Sequence, residues 1–211
     1  ARRLDAAVVH YSSDYVFDGT QAAPYVEDDP THPLSAYGRS KRDGELALEA
    51  SGARHLIFRS SWVVGAHGNN FAKTILRLAA ERDRLGVVAD QFGVPTPATL
   101  LARITAELLA RVSGDASADF PYGLYHLVPS GRTCWHEYAC LVVAQALRAG
   151  RTLKLTPERI LAIGTADYPL PAARPANSCL DTSRLRRTFD LTLPDWQSGV
   201  LETLDEILHT Q

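Results

Sequence analysis

Apolar and polar positions along the chain fall into two regimes, short apolar runs and stretches with helical spacing, and the order in which they alternate predicts the architecture. Ala6–Tyr11 (AAVVHY) is a short apolar run ending at Ser12 and Ser13, the pattern of a buried parallel strand that ends in polar groups. Residues 16–33 hold Gly19, Pro24, Pro30 and Pro33 among acidic residues, too many breakers for a regular element, and read as a long loop of the kind that carries function. Helical spacing follows from about Ser35 to Glu49, with Gly52 as the stop. His55–Arg59 reads as the next strand, followed by a turn at Gly65–Gly68 and a helix over Asn70–Arg82. Leu85–Ala89 and Gly123–Val128 are further short strands, and Ala98–Val112 and Trp135–Ala149 further helices. From Arg151 onward Pro157, Pro169, Pro171 and Pro175 cluster, with short helices predicted near Thr182–Phe189 and Trp196–His209.

Strands alternating with helices imply an α/β chain with parallel pairing. The expected fold is an incomplete Rossmann-like doubly wound parallel sheet with a smaller C-terminal lobe. Residues 1–128 would be the dinucleotide-side domain with interleaved substrate-lobe segments, and residues 129–211 mainly the substrate-binding lobe.

Composition removes several function classes. With 22 Lys and Arg against 24 Asp and Glu, the net charge is −2 and the basic residues are spread out, so nucleic acid is not an expected partner. Apolar stretches such as Cys140–Leu147 are far too short to span a bilayer, and no leader pattern is seen, so no membrane partner and a cytoplasmic location are expected. Cys134, Cys140 and Cys179 have neither CxxC nor zinc-type spacing and read as small buried apolar residues. The seven histidines form no HxxxH or HExxH pattern, so a dedicated metal cage has no support.

Tyr37 and Lys41 lie four residues apart in a predicted helix, which puts both side chains on one face. A tyrosine that gives up a proton near neutral pH must be brought down from an ordinary pKa of ~10, and a neighbouring ammonium supplies such a shift. Alone, a YxxxK pair is commonplace and reads equally as a packed ring beside a solvated charge. The strand end at Ser12-Ser13-Asp14-Tyr15 changes that, because a hydroxyl there can hydrogen-bond a carbonyl while Tyr37 delivers the proton.

A strand-end hydroxyl followed by YxxxK resembles the catalytic triad of short-chain dehydrogenases/reductases, with Ser13, Tyr37 and Lys41 in those positions. The resemblance narrows to the dTDP-4-dehydrorhamnose reductase family. It is carried by SSDYVFDG (Ser12–Gly19), PLSAYGRSK (Pro33–Lys41), RSSWVVG (Arg59–Gly65) with GNNF (Gly68–Phe71), DQFGVPT (Asp90–Thr96), and RPANS (Arg174–Ser178) with LPDW (Leu193–Trp196). The resemblance implies NADPH-dependent reduction of the C4 ketone of a dTDP-4-dehydro-6-deoxy sugar to dTDP-L-rhamnose. Tyr37 would be the acid, Lys41 would aid it and hold the nicotinamide ribose with Ser12 nearby, and Ser13 would bind the carbonyl oxygen in place of the threonine of many members. Tyr15 and Trp62 match positions that contact the sugar, an aromatic surface against apolar C–H groups. Asn69, Asn70, Gln91 and Arg174 would face the nucleotide diphosphate, although Asn69 also reads as a helix N-cap.

Departures from the family pattern matter too. No GxGxxG or GxxGxxG is present, so the chain is expected to be a C-terminal portion with little activity by itself, and the choice of NADPH over NADH stays open. Some members form a magnesium-bridged dimer through a glutamate after DQxGxPT. Here Pro97-Ala98-Thr99 follows Thr96, so neither that metal nor that dimer is carried over, while another homodimer remains compatible with the sequence. Two alternatives resemble the same superfamily: a nucleotide-sugar dehydratase or epimerase, and a non-catalytic regulatory subunit like that of methionine adenosyltransferase. The intact Ser13, Tyr37 and Lys41 favour the enzyme, and a single acidic residue, Asp14, after the strand-end hydroxyl favours reduction over dehydration.

Overall fold

The computed structural model describes residues 1–112, 120–169 and 172–209. In chain order the elements are β1 (Val8–Ser13), α1 (Ala36–Ala50), β2 (His55–Ser60), β3 (Val63–Val64), α2 (Phe71–Glu81), β4 (Leu85–Val88), β5 (Phe92–Gly93) and β6 (Thr96–Pro97). There follow α3 (Ala98–Val112), β7 (Gly123–His126), β8 (Thr133–Cys134), α4 (Trp135–Arg148), β9 (Ile160–Ile163), α5 (Ser183–Phe189) and α6 (Trp196–His209). The chain divides into two compact units, the first of residues 1–61, 99–128 and 172–193, the second of residues 62–98, 129–171 and 194–211.

The first unit holds a parallel sheet in the order β1-β2-β7. The helices α1 and α3 lie between successive strands in sequence, as parallel pairing requires. In β2 every residue after His55 is buried, which is why HLIFR reads as an unbroken apolar run interrupted only by Arg59. Leu100, Leu101, Ile104 and Leu108 of α3, at helical spacing, meet Leu56 and Phe58 of β2, Tyr125 of β7, and Leu185 and Phe189 of α5 in one core. Truncating a wholly buried member such as Leu108 to alanine costs about 2–5 kcal/mol.

The long loop after β1 is tied down by the chain's later segment. Tyr25 N–H donates to the Cys179 carbonyl at 2.8 Å and Asp181 N–H to the Tyr25 carbonyl at 2.8 Å. The Asn177 amide donates to the carbonyls of Gln21 and Ala23 at 2.8 and 3.0 Å. Gly19 sits at φ 78°, and a Cβ there would lie 2.5 Å from the Pro175 side chain, so the glycine answers both a backbone and a packing demand.

Beneath this loop His126 is buried, and burial together with the Arg59 charge holds its imidazole down to about 3. An ordinary histidine titrates near 6.5, so between those values the unfolded chain binds a proton that the folded chain refuses, and His126 removes stability as pH falls from 6.5 towards 3. Asp14, pushed up to about 6 chiefly by burial, acts in the opposite sense: the folded chain takes its proton first, so stability rises as pH falls from 6 to the ordinary 3.8. His126→Gln is therefore expected to move the acid-unfolding midpoint, followed by circular dichroism, to lower pH. An unmoved midpoint would remove His126 from the acid limb.

In the second unit, α2 packs against α4, and β4 pairs in parallel with β9. The strand at Leu85–Val88 thus belongs to a local two-stranded sheet, and its partner Ile160–Ile163 lies in the proline-rich stretch where no strand is expected. Four residues flanked by Pro157 and Gly164 offer too short a pattern to separate from loop. Pro171, grouped with that stretch above, lies outside the described residues.

Candidate active site

In the first unit, α1 begins with a side-chain cap: the Ser35 hydroxyl accepts from Gly38 N–H at 3.0 Å. The next constraint is steric. A Cβ on Gly38 would lie 2.1 Å from the Tyr15 carbonyl oxygen, so only glycine lets the first turn of α1 rest on the turn after β1. That approach sets the Tyr37 ring edge-on to Tyr15, centroids 6.0 Å apart, with Tyr37 53% exposed.

One turn on, Lys41 Nζ donates to the Tyr11 carbonyl at 2.9 Å and stands 5.8 Å from the Tyr37 ring centroid. A further turn on is Glu45, 2% exposed, which grips Arg59 of β2 through Oε1 at 2.9 Å from Nε and Oε2 at 2.7 Å from Nη2. Tyr37, Lys41 and Glu45, spaced four residues apart, thus form one stripe of α1 pinned to the central strand by a buried two-point ion pair. Sequence reasoning missed Glu45 and Arg59. The signals were an acid continuing the YxxxK spacing and a lone cation inside an apolar strand.

At the end of β1 the Ser13 hydroxyl accepts from Tyr15 N–H at 3.1 Å and lies 2.8 Å from Asp14 Oδ1. Asp14 is 3% exposed, with the Ser178 side chain beside its carboxyl. The adjacent Ser12 hydroxyl is buried and, among the described residues, has no hydrogen-bond partner. Tyr15 is largely buried, which raises its phenol, and the charge of Asp14 adds to that while Arg174 opposes it. Arg174 is exposed and forms no ion pair among the described residues. Ser12, Ser13, Tyr15, Tyr37, Lys41 and Arg174 all belong to this first unit.

Trp62, Asn69, Asn70 and Gln91 belong to the second unit. Trp62 carries a left-handed backbone, φ 44°, uncommon for a bulky residue and of a kind that gathers at functional sites. Its ring stacks on Trp135 at 3.6 Å and 13°, so one aromatic face is taken by protein, and Gly93 is so close that a Cβ there would come within 2.6 Å of the ring. Asn70, not Asn69, caps α2, its Oδ1 accepting from Lys73 N–H at 3.1 Å and its amide donating to the Gly65 carbonyl at 2.8 Å. The extended backbone of Asn70 aims its side chain back at the first turn, while Asn69 stays exposed beside Lys73 and Arg151 along a groove. Gln91 departs most from an open loop position: it is buried and its Nε2 donates to Thr165 Oγ1 at 3.0 Å, in a turn where Asp90 also accepts from Thr165. Among the described residues no helix is long and apolar enough to cross a membrane, and no three His, Cys, Asp or Glu side chains are grouped to hold a metal ion.

The family profile described as the RmlD substrate binding domain matches residues 1–209. The chain is 51% identical to a dTDP-4-dehydrorhamnose reductase of Shigella flexneri over 210 residues, which is 100% of this chain and 69% of that protein. It is 50% identical over the same length to the enzyme of that name from Salmonella typhimurium, again spanning 69% of it. A crystal structure of a Bacillus anthracis dTDP-4-dehydrorhamnose reductase in complex with NADP superposes with a TM-score of 0.83 at 32% identity, covering 97% of this chain and 66% of that one. The chain belongs to the dTDP-4-dehydrorhamnose reductase family.

Proposed function

We infer that the protein serves NADPH-dependent reduction of the C4 ketone of dTDP-4-dehydro-6-deoxy-L-mannose to dTDP-L-rhamnose. The observation that carries this reading is the α1 stripe. Tyr37 is open to solvent at its ring, with the Lys41 ammonium one turn away and the Ser13 hydroxyl at the strand end of the same unit. Tyr37 donates its proton to the developing C4 alkoxide, and Ser13 hydrogen-bonds the same oxygen. Lys41 is placed to stabilise the negative charge that Tyr37 acquires, and its bond to the Tyr11 carbonyl keeps the ammonium from swinging away.

The chain's residues fit the nicotinamide-ribose end of the cofactor, since the Ser12 hydroxyl is buried without a partner among the described residues, beside the strand end that bears Ser13. Ser12, Tyr37 and Lys41 would hold that end, and NADPH supplies the hydride when bound. Tyr15 and Arg174 of the first unit, and Trp62, Asn69, Asn70 and Gln91 of the second, are assigned to the nucleotide sugar. Trp62 contributes through the parts of its ring not covered by Trp135, and Gln91 by shaping its loop. A cytoplasmic location goes with that substrate and reductant rather than with any feature of the chain.

The assay is NADPH oxidation with the dTDP-4-keto-6-deoxy sugar by the longest chain the gene encodes, with the product identified by NMR. Formation of dTDP-L-rhamnose is expected. Loss of water from dTDP-glucose without added NADPH would instead mark a dehydratase.

A further inference from the structure

We propose that Arg59 is a positioning residue that acts through Glu45 on Lys41: by holding both carboxylate oxygens of Glu45 it keeps that acid from capturing the Lys41 ammonium, which is left for Tyr37. This rests on the reductase reading above and gives the buried pair a task besides holding α1 to the sheet.

The helix itself creates the competition. Lys41 and Glu45 are four residues apart in α1, the spacing at which a lysine and a glutamate on one face are neighbours and pair. Such a pair would draw the ammonium along the helix away from Tyr37, which lies one turn in the opposite direction. In the folded chain that pair does not form. Lys41 Nζ donates to the Tyr11 carbonyl at 2.9 Å, stands 5.8 Å from the Tyr37 ring centroid, and among the described residues is in no ion pair. His10 of β1 shows that the two charges share one neighbourhood. A Cβ on Gly44 would lie 3.6 Å from His10 Nε2, which sets the imidazole against α1. Burial chiefly holds that imidazole below its ordinary range, the Lys41 ammonium lowers it further and the Glu45 carboxylate raises it, so both charges act on the same ring.

Arg59 decides the competition by geometry. Its Nε and Nη2 meet Glu45 Oε1 and Oε2 at 2.9 and 2.7 Å, a two-point grip with both partners buried. A lysine ammonium is a point charge and cannot match that fork, so Glu45 stays with Arg59. The guanidinium is fixed in turn by the Glu27 carbonyl at 3.3 Å and the face of Phe17 at 5.0 Å. Without Arg59, Glu45 would be an enclosed carboxylate lacking a cation, a costly state, and Lys41 is the cation one turn away on its own face.

The test compares the wild-type protein, Arg59→Met, and Arg59→Met with Glu45→Leu, in the longest chain the gene encodes, with folding checked by circular dichroism. Arg59→Met frees Glu45 to take Lys41, and kcat for ketone reduction is expected to fall at least about tenfold with KM for the ketone little changed. Removing the acid as well returns Lys41 to Tyr37, so the paired variant is expected within about threefold of wild-type kcat. A pair that only pinned α1 would give no such rescue. Arg59→Gln, which still donates to one Glu45 oxygen but carries no charge, replaces Arg59→Met if that variant does not fold, with the same expectation. A crystal structure of the single variant is expected to show Lys41 Nζ on the Glu45 carboxylate and off the Tyr11 carbonyl, a readout independent of turnover. Wild-type kcat in the folded single variant, a paired variant as slow as the single one, or Lys41 still on the Tyr11 carbonyl in the variant structure would each overturn the proposal. A wild type that turns over no ketone would count against the reductase reading instead, and the variant structure would still decide where Lys41 goes.

Discussion

Tyr37→Phe is expected to lower kcat for ketone reduction by about 10²–10⁴-fold, the usual worth of a positioned proton donor, with substrate binding changed far less. The substitution removes one oxygen from a residue that is 53% exposed and whose ring stands edge-on to Tyr15, so the fold has no reason to respond. Lys41 keeps its bond to the Tyr11 carbonyl and the α1 stripe keeps its anchor, leaving the missing hydroxyl as the only difference. Single-turnover kinetics on folded variant and wild type make the comparison. A variant within a few-fold of wild type would move the acid to another group and take the stripe's catalytic meaning with it.

The second large effect is on stability. Glu45→Ala leaves the Arg59 guanidinium buried with its two charge-assisted bonds gone, and breaking a buried pair from one side costs about 3–5 kcal/mol. Among the described residues Arg59 then keeps a 3.3 Å contact to the Glu27 carbonyl and the face of Phe17 at 5.0 Å, neither of which neutralises it. Removing both charges in Glu45→Leu with Arg59→Met is expected to recover much of the loss, because two apolar side chains of similar volume need no desolvation penalty repaid. Urea unfolding of the single and paired variants measures both values. A Glu45→Ala cost below about 1 kcal/mol would show that water reaches the pair and that α1 is held by other contacts.

What the sequence revealed and what it hid divide along physical lines. The edges of α3 and α6 coincide with Ala98–Val112 and Trp196–His209 as read from spacing, because each has an apolar face that the core enforces. β1 and β2 were legible as apolar runs, and their parallel pairing followed from the helix between them. The two-residue strands β3, β5, β6 and β8 were not, since a ladder of two residues has no period to read. At the site, Tyr37, Lys41 and Ser13 could be found through motif order, whereas Glu45 and Arg59 gain meaning only when helix and strand bring them together. Gln91 shows the reverse case: a glutamine in a loop looks free, and only the fold reveals that its amide donates to Thr165. Asn69 reads as the cap by sequence, and the bond from Lys73 N–H to the Asn70 side chain moves that role one residue on.

The measurement that most directly tests the central claim is isotope transfer. NADPH carrying deuterium at its transferable position is incubated with the dTDP-4-keto-6-deoxy sugar and the longest chain the gene encodes, and the product is read by NMR. The expected product is dTDP-L-rhamnose with deuterium on C4, formed by the wild type and lost in Tyr37→Phe. Folded wild-type protein that leaves the deuterium on the cofactor and the ketone unreduced would contradict it.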